Sequence, residues 1–146
     1  LVLTVSDDFS ANARTLSVYR LKRNWVELQA TWNIYSTGNN WQTAGATGVD
    51  DSEGTEIGSA TQPASPAVDS LVEIPITAAS IQDMIPGGTF TNNGYLLRVN
   101  TEVDDQIIYD SREGTASAQF PRMIINYTPA AGGGVAGFRS LMGVGL

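Results

Sequence analysis

The sequence contains neither cysteine nor histidine among its 146 residues. Without cysteine it has no disulfide framework and no thiolate that could ligate a metal. Without histidine it lacks the usual general base at neutral pH and the commonest ligand of transition metals. Because these two absences remove most recognisable catalytic constellations, we expect a protein that is not an enzyme and needs no cofactor.

Basic residues are scarce as well. Eight Lys and Arg stand against 15 Asp and Glu, which gives a net charge of -7 and a pI near 4.3. Such a field repels phosphate backbones, so nucleic acid is a poor partner. No apolar run approaches the roughly 20 residues that a membrane-spanning helix needs. The chain starts at Leu1 with no initiating Met or signal peptide, and we expect a processed product or a fragment.

What the chain does contain favours β structure. It has 15 Gly and many Thr and Ser, and its length suits one domain. Six short segments are rich in β-branched and aromatic residues, and they predict strands at 1–5, 16–21, 71–76, 95–99, 107–109 and 123–127. In the last of them Tyr127 is expected on the buried face, and residues 6–12 read as a polar turn.

One helix is predicted, over about 77–85. Thr77 can cap it, Ile81, Met84 and Ile85 form its apolar stripe, and Pro86 ends it. Strands with one short helix and no βαβ alternation are typical of an all-β, antiparallel sandwich. We expect a jelly-roll-like β-sandwich at residues 1–128 and a separate C-terminal extension at 129–146.

Residues 43–70 are polar and read as a surface excursion rather than a core element. Their carboxylates, at Asp50, Asp51, Glu53, Glu56 and Asp69, could supply oxygen ligands to calcium. They lack the spacing of an EF-hand loop, so a solvated acidic loop fits the pattern better. A hydrolase is disfavoured, because the paired acids are adjacent in sequence whereas a glycosidase needs two facing carboxyl groups.

The three tryptophans, Trp25, Trp32 and Trp41, lie beside turn-forming residues. Large rings usually pack in a core, and we expect this of Trp25 and Trp32. Trp41 is predicted to be the most exposed ring, and Tyr35 and Trp41 are the candidate contacts for a glycan.

A set of motifs resembles a known family. These motifs lie at Arg20, 25–27, 30–33, Trp41, 45–46, 94–97, 111–113 and 121–127. Their order is similar to that of the DNRLRE-type, disaggregatase-related β-sandwich modules, which are grouped with certain carbohydrate-binding modules. The resemblance implies a jelly-roll module of secreted, cell-surface or virion proteins, some of which bind glycans. It also implies further strands ahead of Leu1, and it assigns no sugar-binding residue.

The C-terminal arm, residues 129–146, combines a Gly132–Gly134 hinge with large apolar side chains. These are Val135, Phe138, Leu141, Met142, Val144 and Leu146. We expect the arm to dock on a neighbouring subunit, in a groove or along a strand edge; folding back onto its own domain is the alternative.

These patterns favour a non-enzymatic structural subunit of an extracellular filament or a virion, with identical chains as partners. The alternative is a carbohydrate-binding module of a secreted or surface protein, with a polysaccharide as partner. Either protein would act outside the cell, at its surface or on a virion.

Overall fold

The two longest strands lie near the beginning of the chain and form the centres of two sheets. In this computed structural model, which describes residues 1–8, 12–100, 106–114 and 116–128, β1 is Val2–Asp8 and β2 is Arg14–Arg20. Leu3 and Val5 of β1 and Leu16 and Val18 of β2 are buried, and Thr4 and Ser17 between them are buried as well, so both faces of these strands are covered there.

Shorter strands flank these two. They are β3 (Ile34–Ser36), β4 (Asn39–Asn40), β5 (Gly58–Gln62), β6 (Leu71–Glu73), β7 (Tyr95–Val99) and β8 (Ile107–Tyr109). One sheet has the order β6-β1-β8, the second has the order β5-β2-β7, and β3 pairs with β4 in a hairpin. All these pairs are antiparallel.

Both three-stranded sheets contribute to one hydrophobic core. Its buried members are Leu3, Val5, Leu16, Val18, Ile57, Val72 and Ile74. The prediction of a mostly β, antiparallel protein is therefore confirmed.

The predicted turn at 6–12 begins too early. β1 continues to Asp8 because Asp7 and Asp8 pair with Ile108 and Ile107 of β8, after a register shift between Val5 and Asp7. Backbone pairing has outweighed the poor strand propensity of two consecutive aspartates.

The predicted surface excursion at 43–70 is wrong in its second half. It contains β5, which pairs along all five residues with β2, and Ile57 and Gln62 beside and within that strand are buried. The sequence of β5 is Gly-Ser-Ala-Thr-Gln, so its pairing depends on the backbone of β2 and not on large apolar side chains.

The helix is shorter than predicted. α1 is Ala78–Gln82, with Thr77 at its N-cap but without a hydrogen bond from the Thr77 side chain. Met84 is buried beyond its end, whereas Ile85 is 54% exposed and does not join the stripe.

The predicted strand at 123–127 does not form. Only Arg122 bridges to Val2, and Tyr127, expected to be buried, is 79% exposed. A strand needs a second backbone, and the described part of the chain offers none to this segment.

Candidate functional site

Residues 21–56, here called the aromatic lobe, connect β2 to β5 and hold all three tryptophans. A bridge between Leu21 and Ser52 closes the base of the lobe. The β3–β4 hairpin turns through Gly38, whose φ of 79° is in the left-handed region that favours glycine. The lobe is therefore a closed excursion on one end of the second sheet.

Asp51 holds the lobe together from within. Its carboxylate is fully buried and accepts hydrogen bonds from Arg23 Nε at 2.9 Å and from the backbone nitrogen of Thr43 at 3.0 Å. Burial alone would raise the pKa of Asp51, but backbone hydrogen bonds from Gln42 and Thr43 and the Arg23 guanidinium outweigh burial and lower the pKa. Asp51 is therefore a charged structural anchor.

Three side chains of the lobe, Arg23, Tyr35 and Trp41, form a cluster. The ring centroids of Tyr35 and Trp41 lie 5.5 Å apart at an interplanar angle of 56°, and Arg23 Cζ lies 4.9 Å from the Tyr35 centroid. Trp41 Nε1 donates to the carbonyl oxygen of Thr31 at 3.0 Å. These distances are typical of aromatic and cation–π contacts. Tyr35 and Trp41, the two residues predicted to contact a glycan, therefore lie beside each other.

Trp32 packs against the backbone at Gly45 in the same lobe. A Cβ atom at Gly45 would come within 2.5 Å of Trp32 Cη2, and the backbone nitrogen of Gly45 donates to the Trp32 carbonyl at 2.7 Å. Only glycine leaves room for this packing. Trp32 is nevertheless 64% exposed.

The burial predicted for the tryptophans is wrong. Trp25 and Trp32 are exposed, whereas Trp41, predicted to be the most exposed ring, is only partly exposed. Sequence reasoning also missed the exposure of Trp32 and the contact of Arg23 with the Tyr35 ring. No local sequence pattern predicts this arrangement, because the contact between Gly45 and Trp32 depends on how the chain turns between them.

The acidic residues of the lobe do not form a shared site. Asp51 is buried under Arg23, so it is not part of a solvated acidic loop, while Asp50 is exposed. Across the described ranges no group of three or more Asp or Glu residues could hold a metal ion. The expectation that no cofactor is needed stays a prediction.

A second candidate site is a groove of about 510 Å³ where β1 begins, here called the β1 groove. It is lined by Leu1, Val2, residues 73–76, Ile81, Met123, Ile124 and Asn126. Among the described lining residues, Glu73 carries a charged side chain. Its volume is within the range of about 300–1,000 Å³ that is usual for ligand clefts.

One wall of the β1 groove is an unpaired segment of β-prone sequence. Within the described part of the chain, residues 123–128 make no backbone hydrogen bond. Ile124, Ile125 and Tyr127 are 58%, 54% and 79% exposed. The wall therefore presents apolar side chains, and its backbone groups have no partner within the described residues.

The six residues predicted to anchor the C-terminal arm (Val135, Phe138, Leu141, Met142, Val144 and Leu146) lie outside the described residues. The docking of the arm therefore stays a prediction.

Comparison with protein-family models, curated proteins and solved structures finds no match for this chain. The family resemblance of the motifs therefore remains a prediction. Among the helices of the described residues, none is long and apolar enough to cross a membrane.

Proposed function

We propose that this chain is a non-enzymatic structural subunit of an extracellular filament or a virion, and that its copies join through the C-terminal arm. The observation that carries the proposal is the unpaired wall at residues 123–128. Its composition is that of a strand, yet Ile124 and Ile125 are more than half exposed.

Such a wall is costly to leave open in a soluble protein. Exposed backbone donors beside apolar side chains form a template for pairing with another chain, and natural proteins normally cover, charge or shorten such edges. This edge carries none of those protections between Met123 and Tyr127. A directed contact with a neighbouring subunit would cover it and would propagate head to tail.

The proposal also includes a jelly-roll fold and a location outside the cell. The two antiparallel sheets around one core are compatible with a jelly-roll module. The resemblance to DNRLRE-type modules, which occur in secreted, surface and virion proteins, supports a place outside the cell.

Removing residues 134–146 tests the assembly function. Static light scattering and electron microscopy should show assembled particles for the full chain and monomers for the shortened chain, with the same circular dichroism. A chain of full length in which Phe138, Leu141 and Met142 are replaced by Ser should behave like the deletion. Unchanged assembly in both variants would overturn the proposal.

A carbohydrate-binding module is the second candidate, and the aromatic lobe favours it. Tyr35 and Trp41 lie in contact in this lobe with Arg23 over the Tyr35 ring, and the same lobe carries the exposed Trp32. Sugar rings stack on such faces, because one side of an aromatic residue is apolar while its edge can carry a polar group.

Affinity electrophoresis on a panel of polysaccharides tests this candidate. Trp32→Ala and Trp41→Ala should each lose any retardation that the parent chain shows. Leu28→Ala is the matched control, since Leu28 is an apolar lobe residue that is 96% exposed and does not belong to the cluster of Arg23, Tyr35 and Trp41. Lack of retardation of the parent chain on every polysaccharide would exclude the module function for that panel.

A further inference from the structure

The loop before β7 contains the only Asn-Gly pair of the chain, Asn93-Gly94. The pair lies outside every helix and strand, and both residues are half-buried. Asparagine is thermolabile, because its side-chain amide can be attacked by the backbone nitrogen of the residue that follows. A following glycine has no Cβ atom to hinder this attack. Asn93 is therefore the asparagine of this chain that is most prone to deamidation.

Both members of this pair have a place in the fold. Gly94 has a φ of 88°, in the left-handed region where a side chain would be strained. The side-chain nitrogen of Asn93 donates to the carbonyl oxygen of Lys22 at 2.7 Å, and the backbone carbonyl of Asn93 accepts from Trp25 Nε1 at 3.0 Å. The pair that is chemically labile is thus also the pair that holds the base of the aromatic lobe to the loop before β7.

The attacking atom, the backbone nitrogen of Gly94, is not part of a ladder between strands. It donates to the side-chain oxygen of Asn92 at 3.2 Å, and Asn92 is exposed. The hydrogen bond from Asn93 to Lys22 is also at an exposed position. Exposed hydrogen bonds outside sheets and helices open with little free energy. The reaction therefore requires a local opening of this loop and leaves both sheets intact.

We propose that Asn93 is a deamidation site, and that its conversion to aspartate or isoaspartate releases the base of the aromatic lobe. In the first step the Gly94 nitrogen loses its proton to a solvent base and forms a bond to Cγ of Asn93. The Asn93 side-chain nitrogen takes up a proton from solvent and leaves as ammonia, which gives a cyclic succinimide. Water then opens the ring at either of its two carbonyl groups. One opening gives aspartate and the other gives isoaspartate.

Either product removes a contact between the loop and the lobe. An ionised carboxylate only accepts hydrogen bonds, so the Lys22 carbonyl loses its donor and faces a negative charge. Isoaspartate also adds a carbon to the main chain before Gly94, which displaces the Gly94 carbonyl from the backbone nitrogen of Leu21 that donates to it at 3.0 Å. Because the lobe begins at Leu21, both products loosen the lobe at its base.

Peptide mapping of the folded chain by mass spectrometry tests the site. During incubation at mildly alkaline pH, Asn93 should convert before every other asparagine and should give isoaspartate as well as aspartate. Conversion should be slower at neutral pH, because the attacking nitrogen must lose its proton. Asn93→Gln, whose longer side chain does not form the succinimide, should show no conversion at this position. Earlier conversion of another asparagine, or conversion of Asn93 only after unfolding in urea, would overturn the proposal.

A matched pair of variants tests the effect on the lobe. Asn93→Asp reproduces the aspartate product, whereas Asn92→Asp adds the same charge at the preceding residue and keeps an oxygen that can accept from the Gly94 nitrogen. Hydrogen exchange of the Leu21 amide, followed by NMR, should be about tenfold faster in Asn93→Asp and within about twofold of the parent chain in Asn92→Asp. The amides of β1 should exchange equally in all three chains. Equal exchange at Leu21 in the two variants would overturn the release of the lobe.

Discussion

Asp51 is the residue on which the aromatic lobe depends most. It is fully buried, and its two oxygens accept from Arg23 and from the backbone of Thr43. Asp51→Asn keeps the volume but removes the charge, and we expect the free energy of unfolding to fall by about 1.5–3 kcal/mol, as for hydrogen bonds to charged groups. Urea denaturation measures the change. Asp50→Asn, at the exposed neighbouring position, should change it by less than about 0.5 kcal/mol.

The pKa of Asp51 makes the stability of the chain depend on pH. Burial acts to raise this pKa, but the hydrogen bonds and Arg23 lower it below its ordinary value. The unfolded chain therefore binds this proton more readily than the folded chain. The stabilisation is complete above the unfolded value of about 3.9 and is lost as pH falls through the lower, folded value. Urea midpoints measured from pH 6 downward should drop more steeply for the parent chain than for Asp51→Asn; parallel profiles would contradict this account.

At the scale of elements, Arg20 joins parts that are distant in sequence. At the end of β2, its Nε donates to Glu53 at 2.6 Å, its Nη1 donates to Asp83 just after α1 at 3.0 Å, and its Cζ lies 3.8 Å from the ring centroid of Phe90. One buried guanidinium thus ties the second sheet, the base of the lobe and the helix together.

Removing Arg20 should therefore be far more destabilising than removing an exposed arginine. Arg20→Ala leaves Glu53 without its partner, and we expect a loss of about 3 kcal/mol in the free energy of unfolding. Arg112 also contacts two carboxylates, Glu27 and Glu113, but its side chain is 69% exposed, so Arg112→Ala should cost less than about 1 kcal/mol. Thermal and urea unfolding compare the two, and similar losses would show that Arg20 does not join these elements.

The same elements show what the sequence could and could not predict. β2 and β7 were predictable because their apolar residues are concentrated between turns. β5 was not, because Gly58–Gln62 forms a strand through the backbone of β2. Residues 123–127 show the opposite case, since their side chains favour a strand but no described backbone pairs with them. Local propensity cannot supply a partner that is distant in sequence or belongs to another chain.

In the candidate sites, too, residues close in sequence were easier to predict than contacts between distant ones. Tyr35 and Trp41 are close in sequence and could be singled out together, but the β3–β4 hairpin that brings their rings into contact was not predicted. The contact of Trp32 with Gly45 and the burial of Asp51 depend on the path of the whole lobe, which no residue pattern reveals.

For the whole molecule, charge and apolar surface act in opposite directions. A net charge of -7 keeps copies apart at long range, and this repulsion is screened beyond about 8–10 Å at physiological salt. In the proposed assembly, contacts between subunits would come from short-range apolar burial and backbone pairing, which the C-terminal arm and the unpaired segment at residues 123–128 would supply.

The most direct test of the proposed assembly mixes two variants, each of which lacks one of the two surfaces that would form the contact. Ile124→Pro retains the arm but disrupts the unpaired wall at residues 123–128, and the chain lacking residues 134–146 retains the wall but has no arm. Sedimentation velocity should find each variant monomeric alone and a 1:1 heterodimer in the mixture, since only one productive contact is available. A mixture that sediments as monomers, while the full chain assembles, would contradict the exchange of arms between subunits.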